Sequence, residues 1–314
     1  MSSLVSSFRR GAQRLTLLVV HYRYALVLIA TSYALLSLLL FALYRLALIL
    51  NRPKPAKQTG HNVNKEKRRK GHLLVVLGSG GHTSEMLSIL QNLGAEYLNS
   101  RFDRRTWVVS SGDAFSAERT KRFEEWLRPT EETVSKCQWD IVTVHRARKI
   151  HQRIYTAPFS GLQCLWDCIQ VLRGTHRDRR DKTSTAGSRL STYPDLILTN
   201  GPATAVILII ASVLLMFLGL APISPSAEGG GAMRSIYIES WARVKTLSLS
   251  GKILRFMVGR FLVQWRGLED ADLTRVSQGQ GLEKQNMGAV RSIQNNGKNR
   301  LLSRKIEYVG AVVT

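Results

Sequence analysis

Apolar residues along this chain fall into three kinds of run, and each predicts a different element. The longest run lies near the start, where residues 25–44 (ALVLIATSYALLSLLLFALY) include no charged side chain. About 20 apolar residues is the length an α-helix needs to cross the hydrocarbon of a bilayer. Arg23 and Arg45 bracket the run, and Tyr22, Tyr24 and Tyr44 suit the two membrane–water interfaces. It is long for a signal-peptide core and no small-x-small cleavage site follows, so a retained membrane anchor is predicted. The second kind of run is short and nearly unbroken: residues 73–77, 106–110, 139–144, 194–199, 236–239, 261–265 and 306–313 read as strands. The third has helical spacing and lies between them, at 84–90, 117–127, 161–172 and 253–261. Strand and helix patterns that alternate in this way predict an α/β fold with a parallel, doubly wound sheet. The expected architecture is a single Rossmann-like lobe preceded by an N-terminal transmembrane helix.

One stretch supports two readings. Residues 203–221 are apolar enough to span a bilayer, and no charge occurs from 196 to 227. A helix packed in an α/β core has the same composition. Its place directly between two strands favours the packed helix, because a second crossing would put the C-terminal third on the far side of the membrane. The remaining segments divide the chain. Residues 1–50 carry the anchor, 51–71 form a basic tether, and 72–266 form the lobe with a polar loop insertion at 173–192. Residues 267–305 form a Gly-, Gln- and Asn-rich insertion and 306–314 a strand-like tail.

Charge narrows the partners. The formal net charge is +23 and the sequence pI about 10.6, which calls for an anionic partner: nucleic acid, an acidic membrane face or a phosphorylated substrate. No RNP motif, zinc finger or basic zipper is present, so no nucleic-acid partner is expected. Basic residues after the anchor (Arg45, Arg52, Lys54, Lys57, Lys65, Lys67, Arg68, Arg69, Lys70) outnumber those before it (Arg9, Arg10, Arg14, Arg23). The positive-inside rule therefore places the body in the cytosol, with the tether near anionic headgroups of the membrane lipids. The cysteines Cys137, Cys164 and Cys168 are too few for a disulfide framework. Cys164 and Cys168 can share a helix face, but further metal ligands are missing, so no metal is expected.

The chemistry centres on Gly78-Ser79-Gly80-Gly81-His82-Thr83, which follows the first strand and opens a helix. Strand, glycine loop and helix bring free backbone N–H groups and the positive end of a helix dipole to one point, which suits a phosphate or diphosphate. The loop lacks the spacing of a dinucleotide fingerprint and the Gly-Lys-Ser/Thr of a Walker loop, and an ordinary strand-to-helix turn reads the same way. His82 can serve as a general base on a hydroxyl or as a cationic phosphate contact; a cap or packing residue is the plainer alternative. Residues 145–149 (His-Arg-Ala-Arg-Lys) lie where a strand gives way to a loop, the side on which α/β sheets bind ligands. A solvated basic face fits equally well.

The segments GSGGHTSEML, DLILTNGPATAV, YIESWARVKTLSLSGKIL and FLVQW, with EYVGAVV at the end, resemble the membrane-anchor subunit of the UDP-N-acetylglucosamine transferase of asparagine-linked glycosylation. The likeness covers most of residues 72–265 and the last few residues. It implies the acceptor half of a two-lobed GT-B glycosyltransferase whose soluble catalytic partner binds the donor, UDP-GlcNAc. The complex would add the second GlcNAc to dolichol-diphosphate-GlcNAc, without a cofactor. It would act at the cytosolic face of the endoplasmic reticulum membrane and the contiguous outer nuclear membrane. The resemblance assigns Gly78, Ser79, Gly80, Gly81, Thr83, Arg146, Arg148, Asn200, Gly201 and Arg243 to the acceptor diphosphate, and His82 and Glu239 to catalysis. Asp113 and Ser240 also stand at family-like positions. His145 replaces a common proline and Lys149 a common glutamate. A pure membrane adaptor with no part in the catalytic site is the alternative.

Overall fold

The computed structural model describes residues 2–52, 70–128, 137–148, 152, 157–178, 193–201, 203–223, 232–268 and 306–309, with side chains from residue 21 onward. Most of the tether, Lys149, most of the polar loop insertion, Pro202, residues 269–305 and the last five residues lie outside the described residues. The chain divides into two compact units, residues 1–51 and 52–314.

The first unit is one helix, α1 (Ser2–Leu50). Its portion His21–Leu50 is long and apolar enough to cross a membrane. Leu28, Ile29, Tyr33, Leu35, Leu38 and Phe41 are all exposed, and an apolar helix bare on every side has no aqueous solution for its surface. The helix outruns the charge-free stretch at both ends, since single arginines do not interrupt a helix.

In the second unit, seven parallel strands form one sheet: β1 (Gly71–Val76), β2 (Phe102–Ser110), β3 (Gln138–Val144), β4 (Leu196–Thr199), β5 (Arg234–Ile238), β6 (Arg260–Val263) and β7 (Ile306–Tyr308). Their order, β3-β2-β1-β4-β5-β6-β7, reverses direction between β1 and β4. The helices are α2 (Gly81–Leu93), α3 (Ala95–Arg101), α4 (Ala114–Trp126), α5 (Ala157–Arg173), α6 (Ala203–Phe217) and α7 (Leu249–Leu254). Parallel strands need right-handed crossovers, so the helices before and after the reversal cover opposite faces. On one face Leu73, Val75 and Leu77 of β1 and the residue after it pack with Met86 and Leu90 of α2, Leu98 of α3 and Phe123 of α4. Trp107 of β2 meets Phe123 edge-on, with centroids 5.6 Å apart. The alternate residues Leu74 and Val76 are equally buried, which is why β1 reads as an unbroken apolar run.

The second apolar helix resolves as a packed one. α6 has 15 residues, with Thr204, Ala205, Leu208, Ile209, Ala211, Ser212, Leu215 and Met216 buried in the lobe beside α5. The helix expected at 253–261 is displaced. Ser248 caps α7 by accepting from Gly251 N–H at 2.9 Å, so the helix starts earlier; it ends at Leu254, and the chain turns through residues 255–259 into β6. Within 253–261, Ile253 at the end of α7 and Phe256 in the turn are both half-exposed, so the spacing marks no buried helical face. α3 has no sequence forecast at all: its seven residues bury only Leu98.

A buried ion pair joins β2 to α4. Arg105 and Glu124 form a two-pronged pair, Nε–Oε1 2.8 Å and Nη2–Oε2 2.7 Å, and Trp107 Nε1 donates to Glu124 Oε1 at 2.7 Å. Arg105 also donates to Asn99 Oδ1 at 2.9 Å. Removing one partner of a buried pair leaves the other charge stranded, which costs about 3–5 kcal/mol. Glu124→Ala is therefore expected to lower the melting temperature of the detergent-purified chain sharply. An unchanged midpoint would show that water reaches Arg105.

Candidate functional site

Because every strand runs the same way, all the carboxyl ends open onto one edge of the sheet. Gly78 follows β1, Ser111 β2, His145 β3, Asn200 β4, Glu239 β5 and Gln264 β6. Loops that diverge at the reversal between β1 and β4 leave a crevice there, the place where such sheets bind ligands.

The glycine loop lies at that reversal. Gly78 is buried, while Ser79, Gly80 and Gly81 are exposed. Gly80 takes φ 63°, a left-handed conformation, and no side chain caps the N–H groups of the first turn of α2. Those donors are left for a ligand or water. Thr83 faces inward instead: it is fully buried, its hydroxyl donates to Gly78 O, and its oxygen lies 2.7 Å from Ser116 Oγ. Ser116 in turn donates to Asp113 Oδ2 at 2.7 Å, and Asp113 caps α4. Thr83 and Asp113 thus set the shape of the loop from beneath.

His82 occupies the first turn of α2, with about a third of its side chain exposed (35%). Asn200 Nδ2 donates to its carbonyl oxygen at 2.9 Å, tying the loop after β4 to the loop after β1. Gly201, at φ 106°, lies flat against the ring: a Cβ there would sit 3.0 Å from His82 Cγ. Nδ1 of His82 is enclosed, has no hydrogen-bond partner among the described residues and lies 3.9 Å from Glu85 Oε2. Asn200 is fully buried, and its Oδ1 likewise has no partner among the described residues.

Glu85 is the residue that motif reading missed. Its carboxylate accepts from Trp241 N–H at 2.6 Å, Gln264 Nε2 at 2.6 Å and Ser240 Oγ at 3.1 Å. It therefore joins the glycine loop's helix to the segments after β5 and β6. The available signal was its spacing, three residues beyond His82, which puts both on one helical face.

Glu239 is 1% exposed and faces inward. Oε2 accepts from Ser248 N–H and Oγ, both at 3.2 Å, and Oε1 from Ser240 N–H at 3.3 Å. A Cβ on Gly251 would overlap Oε2, so glycine is required there. Burial pushes the carboxyl above the ordinary carboxylate range; the Ser248 and Ser240 bonds and the charge of Arg243 act the other way. Glu239 thus braces the chain between residues 240 and 251 beside the crevice.

The arginines stand further out. β2 separates β3 from β1, so Arg146 and Arg148 stand two strands from the glycine loop, roughly 10 Å along the sheet. Ser111 Oγ holds Arg146 N–H at 3.2 Å, and Arg148 is exposed. His145 anchors this basic loop to α5: its N–H and Nδ1 meet Asp167 Oδ2 at 2.7 and 2.6 Å. Arg243 is exposed beyond Glu239. The structure thus gathers Gly78–Thr83, Asn200, Gly201, Glu239 and Ser240 around the reversal and leaves the three arginines on the rim. Cys164 and Cys168 are buried thiols of α5, and among the described residues no three His, Cys, Asp or Glu gather as metal ligands.

These features define a class: a single doubly wound α/β lobe with an anion-ready glycine loop at its strand reversal, in a chain that begins with an apolar helix. Residues 73–279 match the family model described as "Oligosaccharide biosynthesis protein Alg14 like", and the chain belongs to that family. It is 39% identical over 213 residues to the "UDP-N-acetylglucosamine transferase subunit alg14" of Aspergillus fumigatus, covering 58% of this chain and 91% of the relative. The subunit of the same name from Debaryomyces hansenii is 35% identical over 68% of this chain and 77% of its own length. The one from Mus musculus is 30% identical over 63% of this chain and 77% of its own. No solved structure matches.

The raised Glu239 carboxyl has a sign that can be checked. From the unfolded range near pH 4.5 up to its folded value, the folded chain holds a proton that the unfolded chain has released. Stability therefore falls as pH rises through that window. Glu239→Gln cannot ionise, so its melting temperature is expected to decline less steeply than that of the unsubstituted chain from about pH 4.5 upward. Equal slopes would show that Glu239 ionises as readily folded as unfolded.

Proposed function

We propose that this chain is the membrane-anchored subunit of a UDP-GlcNAc transferase and that it forms the acceptor side of the active site. The observation that carries this reading is the glycine loop at the strand reversal, with uncapped N–H groups beside a partly exposed imidazole. The relatives' names supply the reaction: they are called subunits of a UDP-N-acetylglucosamine transferase. The acceptor is dolichol-diphosphate-GlcNAc, whose diphosphate stays at the membrane surface. The donor, UDP-GlcNAc, is held by a soluble catalytic subunit that closes the cleft. The chain acts in asparagine-linked glycosylation at the cytosolic face of the endoplasmic reticulum.

In this reading the N–H groups of Gly80, Gly81 and His82 receive the diphosphate. Rim charge from Arg146, Arg148 and Arg243 draws the anionic head toward the lobe. His82 accepts the proton of the acceptor sugar's hydroxyl as its oxygen bonds to the anomeric carbon of UDP-GlcNAc. The bond from that carbon to the diphosphate breaks, and UDP departs with the electron pair. Asn200 and Gly201 fix the imidazole, while Glu239 holds the segment opposite. The inward-facing Thr83 and Glu239 favour a second reading, a pure adaptor in which the loop is only a turn.

Purified alone, the chain is expected to transfer no sugar, and turnover is expected to return when the soluble partner is added; single-chain activity would sink the half-enzyme reading. In the assembled complex, loss of a general base costs on the order of 10²–10⁴-fold in rate. His82→Ala is expected to show such a loss in GlcNAc transfer while still co-purifying with its partner. Full turnover would establish the adaptor. Deleting residues 1–51 is expected to release the lobe from salt-washed membranes. Retention after that wash would mean that another segment holds the bilayer.

A further inference from the structure

We propose that Glu85 is a positioning residue for His82. Its carboxylate takes the Nδ1–H of the imidazole and leaves Nε2 as the nitrogen that meets the acceptor hydroxyl. The inference rests on the reading of His82 as the base. Three features of the carboxylate carry it.

First, Glu85 is buried, at 9% exposure, yet no lysine or arginine pairs with it among the described residues. A buried carboxylate without a cation is costly unless it is well hydrogen-bonded. Its donors are all neutral: a backbone N–H, a hydroxyl and an amide. Among the described residues, the group placed to bring a positive charge to it is the imidazole, when protonated. A carboxylate in that place can stabilise the imidazolium formed when His82 accepts a proton.

Second, the three donors aim the carboxylate. Two bonds of 2.6 Å occupy Oε1, while Oε2 takes only the longer Ser240 bond and faces the ring. Third, Nδ1 is itself enclosed without a partner among the described residues, a state that costs free energy until it is relieved. Oε2 at 3.9 Å needs a closure of only about 1 Å to reach hydrogen-bond distance. Catalytic hydrogen bonds are often long before substrate binds and shorten in the complex.

The proton path follows. With Nδ1–H directed at Glu85, the lone pair resides on Nε2. The acceptor's hydroxyl proton moves to Nε2 as the new C–O bond forms, and the resulting imidazolium is stabilised by the carboxylate, which takes no proton itself. Ser240, Trp241 and Gln264 act one step further back, by holding Glu85 in place.

A double-mutant cycle in the partner-assembled complex tests this. GlcNAc transfer from UDP-GlcNAc to a lipid-diphosphate-GlcNAc acceptor is followed, with kcat and KM separated and partner co-purification measured alongside. Glu85→Gln is expected to lower kcat by on the order of tenfold or more with little change in donor KM, and Glu85→Asp to recover part of the loss. The His82→Ala/Glu85→Gln pair is expected to be no slower than His82→Ala alone, because a residue acting through the imidazole has nothing to orient once the ring is gone. Losses that multiply, or a Glu85→Gln complex as fast as the unsubstituted one, would overturn the inference while leaving His82 as the base. Should Glu85→Gln fail to assemble, the same cycle runs with Glu85→Asp. If His82→Ala itself retains full turnover, the base assignment falls and this inference falls with it.

Discussion

Parallel strands cannot be joined by tight turns, so the connections from β1 through β6 recross the sheet through helices, with a fixed hand. That constraint sends every strand's carboxyl end to one edge. It also forces a choice of direction each time the chain returns. The sheet grows one way from β1 through β2 to β3, then the other way from β4 to β7. The loops after β1 and β4 therefore part company side by side. Into that gap come Gly78–Thr83 from one side and Asn200–Gly201 from the other, tied by the Asn200–His82 bond. The site follows from the topology, and the glycines then allow the backbone to face what enters it.

Three buried glutamates show how far the surroundings decide what one residue type does. Glu124 meets a guanidinium and an indole N–H, far from the crevice, and clamps β2 to α4. Glu239 meets backbone N–H groups and the Ser248 hydroxyl, and burial lifts its carboxyl. Glu85 meets neutral donors on three sides and an imidazole on the fourth. The first has a full counter-charge in direct contact, the second has dipoles with only the more distant charge of Arg243, and the third has dipoles plus the imidazole proposed as the base.

Much of the lobe was legible in the chain because its signals are local. Residues 73–77 read as a strand buried on both faces, and the sheet's centre bears this out. The glycines before His82 announce a sharp entry to a helix, and Gly80 at φ 63° supplies it. What stayed hidden was pairing over distance. Glu85 looks like a surface residue of an amphipathic helix until Trp241 and Gln264, more than 150 positions away, close over it. Glu239 and Thr83 resemble site residues by type, yet which way they face depends on Gly251, Ser248 and Ser116. The helix expected at 253–261 failed for a related reason. A capping serine at 248 outweighs weak apolar spacing, because a cap fixes where a short helix begins whereas spacing only states which face is buried.

The two units of the chain match the physical mismatch between the proposed substrates. A lipid diphosphate cannot leave the bilayer, whereas a nucleotide sugar diffuses in water. A subunit that carries its own apolar helix remains in the acceptor's plane, so the encounter becomes a search in two dimensions at high effective concentration. The donor side needs no such confinement and can reside on a protein free to exchange. Under the proposed function, that division gives a reason for the anion loop and imidazole to lie in the chain with the anchor: groups that await a membrane-bound diphosphate gain most from being fixed to the membrane themselves.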